Sequence, residues 1–244
     1  MSALRSKKST IGDMPKVSAV LFTGGRGSRV LSKRLISNPR VDLTLAINGY
    51  DDGASTGAVR AFLGDCLGPS DFRKNASWLS RELNRCDASL IDILDYRFPV
   101  DVSSDDARVV IQALASSDSD RIAQASSPIW AHYEQLNDSA RQSLAEAFAS
   151  FDRALSDADR EFSFSDCSLG NLVFAGCFLN SQRNFNSACQ TYYRLLNLPE
   201  GLIENVSDGT NAFLVALNRE GRLLASEADI VDDSRRNYVD EIYL

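Results

Sequence analysis

The sequence has few of the residues that build common metal and disulfide sites. Its one histidine, His132, stands beside Trp130 and Tyr133 with no cysteine or aspartate partner pattern, so we interpret it as structural. The five cysteines are odd in number, scattered, and in no CxxC pair. This pattern gives no support for a zinc site and favours buried, reduced thiols over a disulfide framework.

Long apolar runs are also missing. No stretch approaches the roughly 20 apolar residues that a membrane-spanning helix needs, and the Ser/Lys-rich N-terminus lacks the apolar region of a secretory signal. We therefore expect a cytoplasmic protein without a membrane partner. Residues 1–15 are predicted to form a flexible tail.

Positive charge is scarce over the whole chain but concentrated in one part of it. The net charge of −7 argues against a nucleic-acid partner. Between Gly24 and Arg85, however, ten Lys/Arg face six Asp/Glu, so this segment is +4 and the rest is −11. A locally basic segment in an acidic protein suits a small anionic ligand such as a phosphate compound. The alternative is chance clustering on a solvated surface.

The first glycine-rich segment has the pattern of a phosphate-binding loop. Val17 to Phe22 is predicted to be a strand and Arg29 to Ser37 a helix, with the glycines between them. Free amides and the positive helix end bind anions at such a junction. The GxGxxG match is partial because Val30 replaces the third glycine, and no GK[ST] sequence is present. The candidate residues are Gly24, Gly25, Arg26, Gly27 and Ser28.

A second loop, Asn48 to Gly57, combines three glycines, two adjacent carboxylates and two hydroxyls. It follows a predicted buried strand, Val41 to Ile47, which completes a right-handed βαβ unit. Carboxylates can hold Mg²⁺, and hydroxyl or amide groups can bond phosphate oxygens. An ordinary polar turn is the alternative. The candidates are Asp51 and Asp52 for the metal and the chemistry, and Asn48, Ser55 and Thr56 for the ligand.

Two further helix starts add candidates. Ser70 or Asp71 is predicted to cap a helix that runs to about Asn84, with basic residues in its first turns. Cations there oppose the helix dipole, which favours a bound anion over an ordinary exposed start. The helix Leu169 to Asn180 presents hydroxyl and amide groups at its amino end, which suit an anion or a base edge. The candidates from both segments are Asp71, Arg73, Lys74, Asn75, Ser168, Gly170 and Asn171.

The elements predict a Rossmann-like α/β fold: a mostly parallel sheet flanked by helices, with a helical insertion and a C-terminal hairpin. A single domain is expected over residues 16–231, with the insertion at about 85–165 and an extension over 232–244. Residues 116–127 are predicted to be a loop. Two strands joined by the turn at 218–221 make the hairpin.

Four motifs, in this order along the chain, resemble those of the CofD-like superfamily. This superfamily contains 2-phospho-L-lactate transferases and the gluconeogenesis factors that bind uridine-diphosphate sugars. The resemblance covers about residues 17–231, and a weaker fifth match is Ser226 to Ile230. The four motifs are Gly24 to Gly27, Asp51 to Gly57, Gly68 to Asn75 and Ser168 to Leu172.

The resemblance implies a Rossmann-like fold that binds a nucleoside-diphosphate conjugate. In the transferase branch, a guanosine-diphosphate-linked phosphoacid donates to an 8-hydroxy-5-deazaflavin and releases GMP with magnesium present. In the other branch, a nucleotide sugar is bound and the outcome is regulatory. The implied roles place Asp51 and Asp52 at the metal and acceptor side, Asn171 at the nucleotide, and the loop glycines 24, 25 and 27 against the diphosphate.

The sequence departs from the family pattern in three places, which predicts a divergent subgroup. Cys167 stands where the gluconeogenesis factors often have histidine, and Arg26 stands where a small or hydroxyl residue is usual. Family members usually continue past the point that corresponds to Leu244, so we expect a short variant or a missing final βα segment. The predicted function is a magnesium-assisted transferase acting on a nucleoside-diphosphate-linked phosphoacid. A non-catalytic, nucleotide-sugar-binding regulatory protein is the alternative, and the base, the acceptor and a possible homodimer stay open.

Overall fold

A computed structural model gives the structure of the chain and describes residues 15–25, 27–225, 229–230 and 239–243. The described elements, in chain order, are β1 (Val17–Phe22), α1 (Arg29–Ile36), β2 (Val41–Ile47), α2 (Ala54–Leu63), α3 (Ser70–Glu82), α4 (Ala88–Asp95), α5 (Ser104–Ser116), α6 (Ser119–Ala125), α7 (Ser127–Tyr133), α8 (Asp138–Asp157), α9 (Leu169–Asn180), α10 (Phe185–Leu195), β3 (Ile203–Asn205), β4 (Val215–Asn218), β5 (Leu223–Leu224) and β6 (Val239–Tyr243).

A parallel sheet in the order β1-β2-β3 confirms the predicted α/β architecture. The strand β1 pairs with β2 so that Leu21 faces Leu45, and Leu45 in turn faces Ile203 of β3. Leu45 and Ile203 are buried because helices cover this face of the sheet. All of the helices α2 to α10 lie between β2 and β3 in the chain. The two strands that pair are therefore more than 150 positions apart in the sequence.

Helix α9 is the centre of the helical part. Its residues Leu169 to Phe178 are all buried, as expected of a helix that is apolar on every side. Helices α8, α10 and α4 pack around it. Gly176 permits the closest approach, because a Cβ atom there would lie 2.0 Å from the backbone oxygen of Ala147 on α8. Helix α9 is therefore buried on all sides and packed closely against α8.

Replacing Gly176 with alanine is expected to lower the free energy of unfolding by about 1–3 kcal/mol, the usual cost of overpacking a core. The new methyl group must push α8 away from α9, since the clash is with backbone atoms. Urea denaturation measures the change. Gly27→Ala is the matched control, because among the described residues none beyond the chain neighbours lies within 4 Å of a Cβ atom at that position. Equal stability of the two variants would contradict the packing described.

The antiparallel sheet β5-β4-β6 contains the predicted hairpin, with β4 and β5 joined by a tight turn. Gly221 supplies the left-handed backbone of this turn at φ +76°. Both strands are short, with four residues in β4 and two in β5. The predicted loop over residues 116–127 is wrong, because α6 lies within it. Ser117 ends α5 in a left-handed conformation, and the Asp118 carboxylate then accepts a hydrogen bond from the Arg121 amide (3.1 Å) to begin α6.

Several predictions fall on residues outside the described ranges. These are the N-terminal tail up to residue 14, the candidate Arg26, and residues 226–228 of the fifth motif. Most of the C-terminal extension is also outside, although Val239–Tyr243 adds β6 to the antiparallel sheet. None of the helices in the described ranges has the length and apolar content for crossing a membrane.

Candidate functional site

The glycine loop (residues 24–28) and the Asp-Asp loop (residues 48–57) follow the carboxyl ends of two neighbouring strands of the parallel sheet. Phe22 at the end of β1 pairs with Ala46 near the end of β2. The amide of Thr23 then extends this pairing by donating to the Ala46 carbonyl (2.9 Å). A hydrogen bond between the Thr23 and Ser28 hydroxyls closes the glycine loop on itself. The sheet therefore brings together two loops that are more than 20 residues apart in the sequence.

Asp71, in the first turn of α3, lies directly against the glycine loop. A Cβ atom on Gly24 or Gly25 would be 3.2 or 3.1 Å from a carboxylate oxygen of Asp71. The Asn75 amide group donates to the carbonyls of Gly24 and Asp71, both at 2.8 Å. These two glycines therefore allow a close approach by the chain's own carboxylate. At Gly27, by contrast, no described residue beyond the chain neighbours comes within 4 Å of a Cβ atom.

The Asp-Asp loop is held by close backbone packing. Asp51 Oδ1 accepts from the Gly53 amide (3.0 Å), and Asn48, which is exposed, accepts from the amide of the residue two positions on (3.3 Å). A Cβ atom on Gly68 would lie 2.0 Å from the Asp51 carbonyl oxygen, and one on Gly57 would lie 2.3 Å from that of Asp52. The glycines of these motifs thus fix the backbone that carries both carboxylates.

Arg60 is the main residue that the sequence reasoning missed. Its side chain is buried and donates to the carbonyls of Cys66 (3.2 Å), Tyr50 (3.1 Å) and Asp51 (3.3 Å). It also donates to Asn211 Oδ1 and to the carbonyl of the next residue, so it ties the Asp-Asp loop to the segment before β4. Burial lowers the pKa of Arg60, while the charges of Asp52 and Asp51 oppose this effect.

A buried polar chain connects three of the four motifs. The Asn171 amide group donates to the Ser55 hydroxyl (3.2 Å), and Arg73 Nε donates to Asn171 Oδ1 (2.9 Å). Arg73 continues the chain by pairing with Asp95 at 3.2 Å. Gly170 leaves room for this arginine, since a Cβ atom there would lie 2.7 Å from its Cδ. These contacts cross-link α2, α3, α4 and α9, and they give the Arg73 charge an internal partner.

The helix starts are capped in different ways. The Ser168 hydroxyl accepts a hydrogen bond from the backbone amide of Asn171 (3.3 Å) and so caps α9. The predicted side-chain cap of α3 by Ser70 or Asp71 is wrong, because Pro69 occupies the cap position without a side-chain bond. The Ser70 hydroxyl instead bonds the Thr56 hydroxyl, which joins α3 to α2. Both hydroxyls are buried, so this pair fixes the first turns of α2 and α3 relative to each other.

A cleft of about 490 Å³ opens beside these motifs, and we refer to it as the basic cleft. Three predicted residues line it, together with residues that sequence reasoning did not select. Arg97 is placed beside Ser168 by an isolated antiparallel bridge, and Arg29 lies over the Trp78 ring at 5.7 Å. The predicted lining residues are Arg73, Lys74 and Ser168, and the additional ones are Arg29, Ser77, Trp78, Arg81, Asp95 and Arg97.

Carboxylates of this chain balance much of the charge in the basic cleft. Arg81 pairs with Asp92 at 2.7 Å, and Arg97 pairs with Asp166 at 3.0 Å. Lys74 lies 3.9 Å from Asp71. Since partly exposed ion pairs contribute little stability, a bound anion can replace an aspartate as the partner of an arginine at small cost.

The fit of a magnesium ion depends on Asp51 and Asp52. Among the described residues, no three metal-ligating side chains converge on one point. Mg²⁺ nevertheless needs only one or two carboxylates when substrate phosphates supply further ligands. Asp51 and Asp52 are adjacent on one loop, so their carboxylates fit an ion whose coordination is completed by a diphosphate.

Burial raises the pKa of the Asp71 carboxyl group; the Lys74 charge lowers it and the Asp51 charge raises it. Cys167, at the position where histidine occurs in the gluconeogenesis factors, is buried, and burial raises its thiol pKa to about 12. It is therefore a neutral thiol near neutral pH and does not replace histidine as an acid or base.

Asp71→Asn is expected to stabilise the protein at pH 7 in metal-free buffer. Because the folded-state pKa of Asp71 is raised, the ionised carboxylate opposes folding above the unfolded-state pKa of about 3.9. The advantage of the variant should therefore shrink as the pH falls through the folded-state pKa, because the wild-type group then becomes protonated as well. Urea midpoints across this range measure it, with exposed Asp65→Asn as the control. A variant less stable than wild type at pH 7 would refute the prediction.

Comparison with solved structures matches the chain to two crystal structures of protein BH3568, a UPF0052 family member from Bacillus halodurans, with TM-scores of 0.58 and 0.56. The chain has the UPF0052 fold. In both comparisons the sequences are 18% identical, and the match covers 94% of this chain and 51% of the UPF0052 protein. This chain thus spans about half the length of that relative. No family model matches the sequence, and no curated protein matches it.

Proposed function

We propose that the protein is a magnesium-assisted transferase that acts on a nucleoside-diphosphate-linked phosphoacid. The observation that carries the proposal is the meeting of the glycine loop, the Asp-Asp loop and the first turn of α3 at one sheet edge. Parallel α/β sheets bind nucleotides at this edge. The UPF0052 fold supports the same superfamily resemblance that the four motifs indicate.

The chain's own residues would perform three tasks. Backbone amides of Gly25 and Gly27 would bond the diphosphate, and Lys74 would neutralise part of its charge from the wall of the basic cleft. Asp51 and Asp52 would hold Mg²⁺, which supplies charge neutralisation at the transferring phosphate. The buried chain through Arg73 would keep α3 and α9 in register with the loops.

In the proposed reaction, an acceptor hydroxyl attacks the phosphorus that bears the phosphoacid. A new oxygen–phosphorus bond forms, the bridging bond of the diphosphate breaks, and the nucleoside monophosphate leaves. The hydroxyl proton passes to a carboxylate oxygen of Asp51 or Asp52 that is not bound to the ion. Such transfer depends mainly on in-line positioning and charge stabilisation, which loops and cations can provide.

The experiment is a thermal-shift screen with GDP, UDP and their sugar and phosphoacid conjugates, each with and without Mg²⁺. A ligand that binds only the native state raises the melting temperature. GMP or UMP released from a phosphoacid donor supports the transferase. Binding of a nucleotide sugar without turnover supports the regulatory alternative, and a lack of binding by every nucleotide overturns both.

A further inference from the structure

A second cavity, of about 660 Å³, opens to solvent where three helices end. Asn84 and Arg85 follow α3, Asn180 ends α9, and Arg194 lies in the last turn of α10. The first turn of α3 contains Asp71 of the candidate site, and α3 has 13 residues. At 1.5 Å per residue, Asp71 lies about 18 Å along the helix axis from this opening. This cavity, the far cavity below, shares no lining residue with the basic cleft, although Arg81 of that cleft lies one helical turn before Asn84.

The mouth of the far cavity is held by hydrogen bonds between helix ends. The Ser80 hydroxyl donates to the Leu196 carbonyl (2.9 Å), and the Asn197 amide group donates to the Arg85 carbonyl (3.2 Å). Asn84 and Asn197 both adopt left-handed backbone conformations, at φ +49° and +51°. The chain therefore turns away from α3 and α10 at fixed points, which leaves a preformed opening instead of a closed helix contact.

Charges of both signs surround this opening. Arg85 and Arg194 supply two cations, and Asp87 and Glu146 supply two carboxylates. Within the described ranges, the side chains of Arg85, Arg194 and Asp87 form no hydrogen bond or ion pair with another residue. Glu146 accepts one hydrogen bond, from Gln142 (2.9 Å), which leaves further acceptor capacity. The opening is thus balanced in charge but not internally paired.

The four charged side chains determine how a charged ligand would lie. Arg85 and Arg194 stand beside the carboxyl ends of α3 and α10 and complement the partial negative charge there. Guanidinium groups bind a carboxylate through paired hydrogen bonds. The floor is apolar, with Leu90, Ala147 and Cys177. An ammonium group and a carboxylate group on one small molecule satisfy all of these features.

We propose that the far cavity binds a small zwitterion, either a free amino acid or a short peptide. Its carboxylate lies against Arg85 and Arg194. Its ammonium group lies against Asp87 and Glu146. The site does not depend on the nucleotide proposal, because it shares no lining residue with the basic cleft.

The test is a thermal-shift and calorimetric screen of the full chain with the twenty amino acids and a set of dipeptides. Succinate and putrescine serve as probes that carry only one sign of charge. We expect at least one amino acid or dipeptide to bind. Whichever of the two classes binds more tightly is the ligand class of the site. Arg194→Gln and Asp87→Asn should each weaken that binding at least tenfold, whereas exposed Arg34→Gln on α1 should leave it unchanged.

Three results would overturn the proposal for the far cavity. Succinate or putrescine binding as tightly as the best zwitterion would overturn the proposal, as would binding by none of the probes. Unchanged affinity in Arg194→Gln would also overturn it, and circular dichroism confirms that this variant is folded. GDP and UDP binding measured on the same variants should not change, so failure here is distinguishable from failure of the nucleotide site.

Discussion

Arg60→Met is expected to lower the free energy of unfolding by about 3–5 kcal/mol, the cost of removing one partner from a buried charged network. Methionine replaces much of the arginine volume but donates no hydrogen bond. The carbonyls of Tyr50, Asp51, Cys66 and Ala212 would then lose their donor. Each buried acceptor left unpaired costs about 1–3 kcal/mol. Urea denaturation followed by circular dichroism measures the loss.

Arg160→Met is the matched control for this prediction. Arg160 also donates to a backbone carbonyl, that of Ala61 (3.1 Å), and also lies over an aromatic ring, that of Phe62. It is exposed, however, so its loss should cost less than about 1 kcal/mol. A similar cost for the two variants would show that Arg60 does not hold the Asp-Asp loop as described.

Asp51→Asn is expected to abolish most of the Mg²⁺ dependence of nucleotide binding, with affinity in Mg²⁺ falling about 10–100-fold, as is typical when a metal site is weakened. Asparagine keeps the Oδ1 that accepts from the Gly53 amide, so the loop conformation should persist. The negative charge is lost, and with it the main attraction for the ion. Calorimetric titration of GDP or UDP, with and without Mg²⁺, measures the effect.

The control for the metal prediction is Asp42→Asn. Asp42 lies on β2, the strand that precedes the Asp-Asp loop, and at the opposite end of that strand. It is exposed and pairs in register with Ser18 of β1. It should bind nucleotide like the wild type in both conditions. If Asp42→Asn loses as much affinity as Asp51→Asn, the effect is one of general charge and the metal assignment is wrong.

Local patterns predicted the elements that carry the site. Strand β2 and helix α9 have the predicted ends, because an apolar run bounded by glycine or a serine cap is visible within ten residues. The pairing of β1 with β2 followed from the predicted βαβ unit, because the two strands of such a unit are parallel. The far end of the sheet is less local, since β3 pairs with β2 across all the helices from α2 to α10. No local pattern predicts this pairing.

The contacts that the sequence could not reveal join distant residues. Arg60 reaches Asn211 and Ala212, more than 150 positions away, so its role cannot be read from the helix that carries it. A charged residue within the apolar run Val59 to Leu63 was the available signal. Arg97 joins the basic cleft only through its bridge to Ser168. Arg73 was interpreted as an anion ligand, but its partner Asp95 lies on α4.

The most direct measurement of the central claim is a crystal structure of the chain with GDP or UDP and Mg²⁺. The claim predicts diphosphate oxygens within hydrogen-bonding distance of the Gly25 and Gly27 amides, and a metal ion that contacts Asp51 or Asp52. Asp71 should border the same ion or have moved away from the glycines. A nucleotide seated elsewhere, with Asp71 still packed on Gly24 and Gly25, would contradict the account.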